Sequence, residues 1–283
     1  MKEKELILRF VQTFRSRNGE VSNVEKIRRL GRQTYKARIL YDHNEKEITG
    51  VCKFYSSGDG NGWEFAAAKQ LLTLGTLDMK GVSSGSVLDV DYYVAEGKEQ
   101  IVILREEISG NTVREEIERV PLFDVRRLSA KLFNQLCVVA VDNSLIDGGM
   151  GYCGDLSAGN VVMALDGYTV IDWDSQLGQT AMRDITAKYV APEVMSRDVE
   201  TISQVLADTY SLGCLLARAL IGQREFRKID GFVYFESIID VTPEETHEFF
   251  KKSLAKDPED RTFRDEVSPC EHYLRLGKLF RVM

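Results

Sequence analysis

The sequence predicts an α+β fold in two lobes: a small antiparallel-sheet lobe carrying one main helix, then a larger helical lobe. Three observations carry this. Alternating apolar and polar residues dominate from Val24 to about Val120. One stretch at helical spacing, WEFAAAKQLLTL, interrupts them. Beyond residue 124 the pattern is helical except for a single hairpin. Period two marks strands and period 3.6 marks helices, so the change of period divides the chain.

Taken in order, residues 1–22 read as a charged amphipathic helix or arm ending near Asn18-Gly19. KIRRLGRQTYKARILY and EITGVCKFYS alternate and are bounded by turn residues such as Asp42-His43-Asn44. The glycine-rich GDGNG precedes the helical stretch. SVLDVDYYVA and EQIVILREEI follow as two strands separated by Glu96-Gly97-Lys98. A connector near residues 106–112 leads to a long helical pattern over 124–146. The domains read as an arm over 1–22, a sheet lobe over 23–107 and a helical lobe over 108–283. Neither an internal repeat nor a low-complexity tract is visible.

Composition narrows the function. A chain of 283 residues, 43% hydrophobic and 29% charged, suits a globular protein with a sizeable core. A net charge of -7 argues against nucleic-acid binding as the main activity. No apolar run approaches the roughly 20 residues that span a bilayer, so no membrane role is expected. Cys52, Cys137, Cys153, Cys214 and Cys270 lack the C-x-x-C spacing of a zinc site. Their scatter and the charged N-terminus point to a reducing compartment, the cytoplasm; a protein delivered into a host cell would read the same way. His43, His247 and His272 lie far from the polar cluster described next, which disfavours hydrolases with a His base.

That cluster is CGDLSAGNVVMALDGYTVIDWD, residues 153–174. VVMAL and YTVI form a hairpin turning at Asp166-Gly167. A hairpin sets the loop before its first strand beside the end of its second, so Asn160 and Asp172 come close. Hard oxygen donors of this kind suit Mg²⁺ shared with substrate phosphates. Asp155, five residues before Asn160, then stands clear to accept a proton from an attacking hydroxyl. Asp and Asn also favour turns and caps for local reasons, and the D-x-x-x-x-N spacing alone leaves both readings open.

Further segments extend the pattern. GDLSAGNVV with VIDWD resembles the catalytic loop and metal loop of the protein-kinase superfamily, in wording close to its aminoglycoside-phosphotransferase branch. TAKYVAPEV resembles the protein-kinase T-x-x-Y-x-A-P-E segment at Thr186, Tyr189 and Glu193. DTYSLGCLL resembles the helix whose Asp, here Asp208, anchors the catalytic loop. LAKDPEDRT resembles the element whose Arg, here Arg261, pairs with the Glu of A-P-E. The resemblance runs from about residue 25 to about 265.

It implies a bilobal protein-kinase-like fold and phosphoryl transfer from ATP, with Mg²⁺, to a Ser or Thr hydroxyl of a protein substrate. Asp155 would act on the hydroxyl, and Asn160 and Asp172 would hold the metal. Lys53 would hold the phosphates with Glu64 as its partner, Gly31 would mark the phosphate loop, and the backbone near Glu106 and Ile108 would meet the adenine edge. Thr186 favours Ser/Thr over Tyr acceptors.

Several positions depart from the family pattern. Gln33 and Lys36 stand where the phosphate loop has glycines. Cys153-Gly154 replaces His-Arg before the catalytic Asp, which removes the receiver for a phosphorylated activation loop. Ser157 replaces a Lys that stabilises the transferring phosphoryl group, and Arg105 falls near the gatekeeper position. The sequence therefore also accommodates a pseudokinase acting as a binding module, and a small-molecule phosphotransferase.

Overall fold

A computed structural model of the chain describes residues 21–29, 34–41, 47–57, 63–82, 85, 87–95, 97–119, 124–143, 153–165, 167–173, 188–196, 203–222, 228–263 and 268–280. Residues 1–20 of the arm, Gly31, the GDGNG loop, Asp166, Asp174 and Thr186 lie outside these. Two compact units are present, and the main division falls between Ile108 and Ser109. It lies one residue past the boundary read from sequence.

The first unit is built on a five-stranded antiparallel sheet in the order β1-β2-β3-β5-β4. Its strands are β1 (Val21–Arg29), β2 (Thr34–Tyr41), β3 (Glu47–Ser56), β4 (Val87–Ala95) and β5 (Lys98–Glu106). β1 begins at Val21, so it takes the last two residues assigned to the arm. The β4–β5 hairpin turns at Gly97, whose φ of +75° suits a residue without Cβ. Helix α1 (Trp63–Met79) lies on the sheet: Trp63 and Ala67 pack with Tyr55 of β3 and Ile103 of β5. The stripe Trp63, Ala67, Gln70 and Leu74 is buried, whereas Glu64, Ala68 and Leu72 are exposed. Trp63 sets this phase, because the largest apolar side chain of the first turn takes the inward position.

The second unit opens with β6 (Asn111–Thr112), which pairs with the first strand of the hairpin over residues 161–170. The sequence suggests only a connector here. Gly110 lets the connector approach that strand: a Cβ on it would stand 2.0 Å from the Met163 carbonyl oxygen. Thr112 then caps α2 (Val113–Arg119), a helix the sequence reading does not assign. The Glu115 N–H donates to Thr112 Oγ1 (3.2 Å), and the Thr112 N–H donates to Glu115 Oε2 (2.8 Å). This reciprocal T-x-x-E arrangement satisfies donors at the helix start.

Helix α3 (Val125–Asn143) runs beneath the hairpin of β7 (Val161–Ala164) and β8 (Gly167–Val170). Gln135 on α3 replaces a strand neighbour for β8. Its Nε2 donates to the Tyr168 carbonyl (2.7 Å), and its Oε1 accepts the Val170 N–H (3.0 Å). The remaining helices are α4 (Pro192–Ser196), α5 (Gln204–Ile221), α6 (His247–Ser253) and α7 (Pro269–Leu279). Phe133 of α3, Phe249 of α6 and Phe280 meet edge to face, with Phe249 centred 6.1 Å from Phe133 and 4.8 Å from Phe280. Offset edge contacts of this kind align the negative ring face with a positive ring edge.

His272 on α7 is buried against α5, with Nε2 2.8 Å from Thr209 Oγ1. The Thr209 hydroxyl donates to the Val205 carbonyl, so the imidazole supplies the proton of the shared bond. Burial, reinforced by the charge of Lys252, lowers the His272 pKa from 6.5 to about 4. Its folded-state pKa lies below the unfolded one, so the unfolded chain binds the extra proton. The associated stability is full above pH 6.5 and is lost as pH falls through about 4; it amounts to ~3 kcal/mol. Denaturant unfolding between pH 7 and 4.5 should show this loss, and His272→Gln should flatten the slope. Identical pH slopes in the two proteins would remove His272 as the cause.

Candidate active site

The hairpin ladder starts at the Val161–Val170 pair and extends one step further, because the Ile171 N–H donates to the Asn160 carbonyl (2.9 Å). Asn160 and Asp172 therefore flank the same open end, as the hairpin geometry requires. The Asn160 N–H closes a turn on the Ser157 carbonyl (3.0 Å). Its side-chain Nδ2 donates to the Asp155 carbonyl (2.9 Å) and to Asp155 Oδ2 (2.8 Å). This network assigns the amide's orientation and leaves Oδ1 as its remaining acceptor. The same contact fixes the rotation of the Asp155 carboxylate, which is 8% exposed.

Asp208, on α5 and 1% exposed, holds the loop from below. Its carboxylate accepts the N–H groups of both Cys153 and Gly154, the latter at 2.9 Å. Two successive N–H groups can aim at one carboxylate because Gly154 adopts φ +89°, a conformation that favours glycine. The departure at Cys153-Gly154 thus has a structural reason. The Cys153 thiol donates onward to the Asp172 carbonyl (3.3 Å), which ties the loop to the end of the hairpin. Trp173 is fully buried, and its Nε1–H donates to the Val170 carbonyl.

A second anchor lies behind the 188–196 segment. Arg261 is fully buried, and all five of its N–H donors have acceptors. Nη1 reaches Glu193 Oε1 (2.5 Å) and the Leu206 carbonyl, Nη2 reaches Glu193 Oε2 (3.1 Å) and the Lys256 carbonyl, and Nε reaches the Ala255 carbonyl (2.9 Å). The guanidinium also lies over the Tyr210 ring, 5.0 Å from its centre. Such a bidentate pair is geometrically specific, and removing one partner would leave a buried charge. Ser211 Oγ donates to the Tyr189 carbonyl (2.8 Å), joining the segment to α5. A small cavity between them is bordered by Gly154, Asp155, Tyr189, Ala191, Ala207 and Ser211.

In the sheet unit, Lys53 is half-buried on β3 and shares a face with Tyr55; its Nζ lies 5.8 Å from the ring centre. The pairing with Glu64 suggested by the resemblance is not formed among the described residues. Glu64 lies in the first turn of α1 on its solvent stripe. The inward position one turn past Ala67 belongs to Gln70, and Lys69 beside it is fully buried. The helical phase set by Trp63 carries this information in the sequence itself. Glu106 ends β5 opposite Gly50, and its carbonyl is approached by Gly85, where a Cβ would stand 2.5 Å away. Ile108 follows as the last residue of the unit.

Two further groups bear on the loop, of which the sequence singles out only Ser157. Ser157, where the family has a Lys, is fully buried, so the loop itself offers no cation there. Arg114 of α2 lies against the same loop: its N–H donates to the Ala158 carbonyl (2.9 Å) and its guanidinium covers Gly159. The cysteines stay outside the chemistry. Burial pushes the Cys52 and Cys214 thiols up to about 12, which suppresses the thiolate.

No family model matches the chain. The serine/threonine-protein kinase ksg1 of Schizosaccharomyces pombe is 33% identical over 89 residues, 29% of this chain and 14% of that protein's length. The structure of MAP kinase LmaMPK10 from Leishmania major superposes with a TM-score of 0.63, covering 98% of this chain and 89% of that chain at 13% identity. The chain has a protein-kinase-like fold. Its kinase-like fold combines the antiparallel sheet unit and the helical unit anticipated from the sequence. Among the described residues, no helix of the kinase-like chain is long and apolar enough to cross a membrane.

Asp208→Asn keeps the shape of the anchor but turns one acceptor into a donor. It should destabilise the protein by ~2 kcal/mol and accelerate hydrogen exchange at the Cys153 and Gly154 amides. Unaltered exchange at both amides would show that the loop is held by other contacts.

Proposed function

We propose that this chain transfers the terminal phosphoryl group of ATP, with Mg²⁺, to a Ser or Thr hydroxyl of a protein. The observation that carries the reading is the Asp155–Asn160–Asp172 arrangement, in which one amide orients the carboxylate and both metal candidates share the hairpin's open end. The Asn160 oxygen and the Asp172 carboxylate are hard oxygen donors, which fit magnesium rather than a soft metal. Bound there, the metal would neutralise charge on the phosphates. Asp155 would orient the acceptor hydroxyl and take its proton, with Asn160 holding Oδ2 in place.

In the sheet unit, Lys53 would bind phosphate, and the backbone near Glu106 and Ile108 would meet the adenine. Glu64, taken from the resemblance as the partner of Lys53, is exposed in the first turn of α1. The Ser/Thr preference draws support from Thr186 in the sequence and from the likeness over 89 residues to a serine/threonine-protein kinase of Schizosaccharomyces pombe.

The exposed Glu64 and the inward Gln70 favour a second reading, a module that binds nucleotide or a partner without transfer. Incubation with γ-labelled ATP and generic protein substrates separates the two. Transfer should require Mg²⁺ and fall by on the order of 10²–10³-fold in Asp155→Ala. Equal labelling by both proteins would exclude the catalytic role of Asp155. An unlabelled substrate, together with a melting point raised by ATP and Mg²⁺, would establish binding without transfer.

A further inference from the structure

The guanidinium of Arg114 occupies an unusual position. A Cβ at Gly159 would stand 3.0 Å from its Nη2, 3.3 Å from Cζ and 3.8 Å from Nε, so the side chain lies flat where residue 159 has none. Gly159 precedes Asn160 and is four residues from Asp155. The Arg114 backbone is fixed to this loop by its bond to the Ala158 carbonyl. Its side chain is nonetheless exposed, and no carboxylate pairs with it among the described residues.

Two acids of the same helix are committed elsewhere, and the third, Glu118, is exposed. Glu115 closes the cap with Thr112, and Glu116 is buried and accepts from Asn111 Nδ2 (2.6 Å). The Tyr189 phenol, raised by burial, is drawn the other way by the charges of Arg218 and Arg114 and by a bond from the Ala158 backbone. Arg114 therefore borders both the loop that carries Asp155 and the 188–196 segment. Lys188, next to Tyr189, is exposed. An exposed cation, Arg114, thus stands against the loop that carries Asp155 in a protein whose net charge is -7.

We propose that Arg114 is a specificity-determining residue that reads an acidic side chain flanking the acceptor hydroxyl, so the preferred substrate is a Ser or Thr in an acidic peptide. The proposal rests on the phosphotransferase reading above. An exposed guanidinium held flat on backbone presents its outer N–H groups in the fork that a carboxylate matches, and little side-chain freedom is left to lose. Gly159 is part of the device, because any side chain there would displace the fork.

Three peptides sharing one Ser, with acidic, neutral or basic flanks, test this by steady-state transfer and by fluorescence anisotropy without ATP. Wild type should show a KM for the acidic peptide at least about tenfold below that for the neutral one, with similar kcat; tenfold corresponds to ~1.4 kcal/mol. Arg114→Glu should reverse the order of KM values, Arg114→Lys should keep part of the preference, and Gly159→Ala should weaken it. Transfer with the acidic preference intact in Arg114→Glu overturns the proposal and leaves the phosphotransferase reading standing. Arg114-dependent binding of the acidic peptide without transfer supports the recognition site and overturns the phosphotransferase reading. Absence of both transfer and binding overturns both.

Discussion

The carboxylate of Asp208 organises the helical unit's chemistry. It is buried on α5, and it takes the N–H groups of Cys153 and Gly154 just before Asp155. Hydrogen bonds to a charged group contribute about 1.5–3 kcal/mol each, and an orphaned buried N–H costs a comparable amount. From this point the order is handed along by short links. Asp155 receives Asn160, Asn160 receives Ile171, and Asp172 receives the Cys153 thiol. The chain of bonds closes on itself, so the hairpin end and the loop are fixed as one body. Arg261 does the same for the neighbouring segment through Glu193.

This arrangement changes the meaning of the unusual loop wording. With glycine at 154, no cation stands there to receive an added phosphate. The loop's shape comes from Asp208, from the thiol of Cys153 and from the left-handed turn that glycine permits. Order is thus supplied from within the fold rather than by an incoming charge. The cation nearest the loop that the structure reveals is Arg114, which comes from a different helix.

The parts legible in the sequence share one property: their chemistry is set by residue type at short, fixed spacing. The Asp155–Asn160–Asp172 grouping follows from a hairpin whose register is locked by its tight turn, so proximity can be read without a structure. The partnership of Glu193 and Arg261 was legible only through the resemblance, since 68 residues separate them. Glu64 was chosen by residue type and order, and helical phase was not weighed; Trp63 is buried and its neighbour Glu64 is exposed. Gln135 and Arg114 were beyond sequence reading for another reason. Each is a polar side chain on a helix whose partner is a distant backbone, and nothing local distinguishes such a residue from a solvated one. The two-residue strand β6 gives no period to detect.

Gln135 has one more consequence. By donating to one carbonyl of β8 and accepting from an N–H two residues on, it reads that strand as a neighbouring strand would. The register of the β7–β8 hairpin is thereby held from the helix side as well as by its tight turn. Leu165, at the tip, is fully exposed. The tip is therefore a place where a short peptide tag or a fluorophore can be spliced in, giving a reporter rigidly connected to Asn160 and Asp172 yet remote from them.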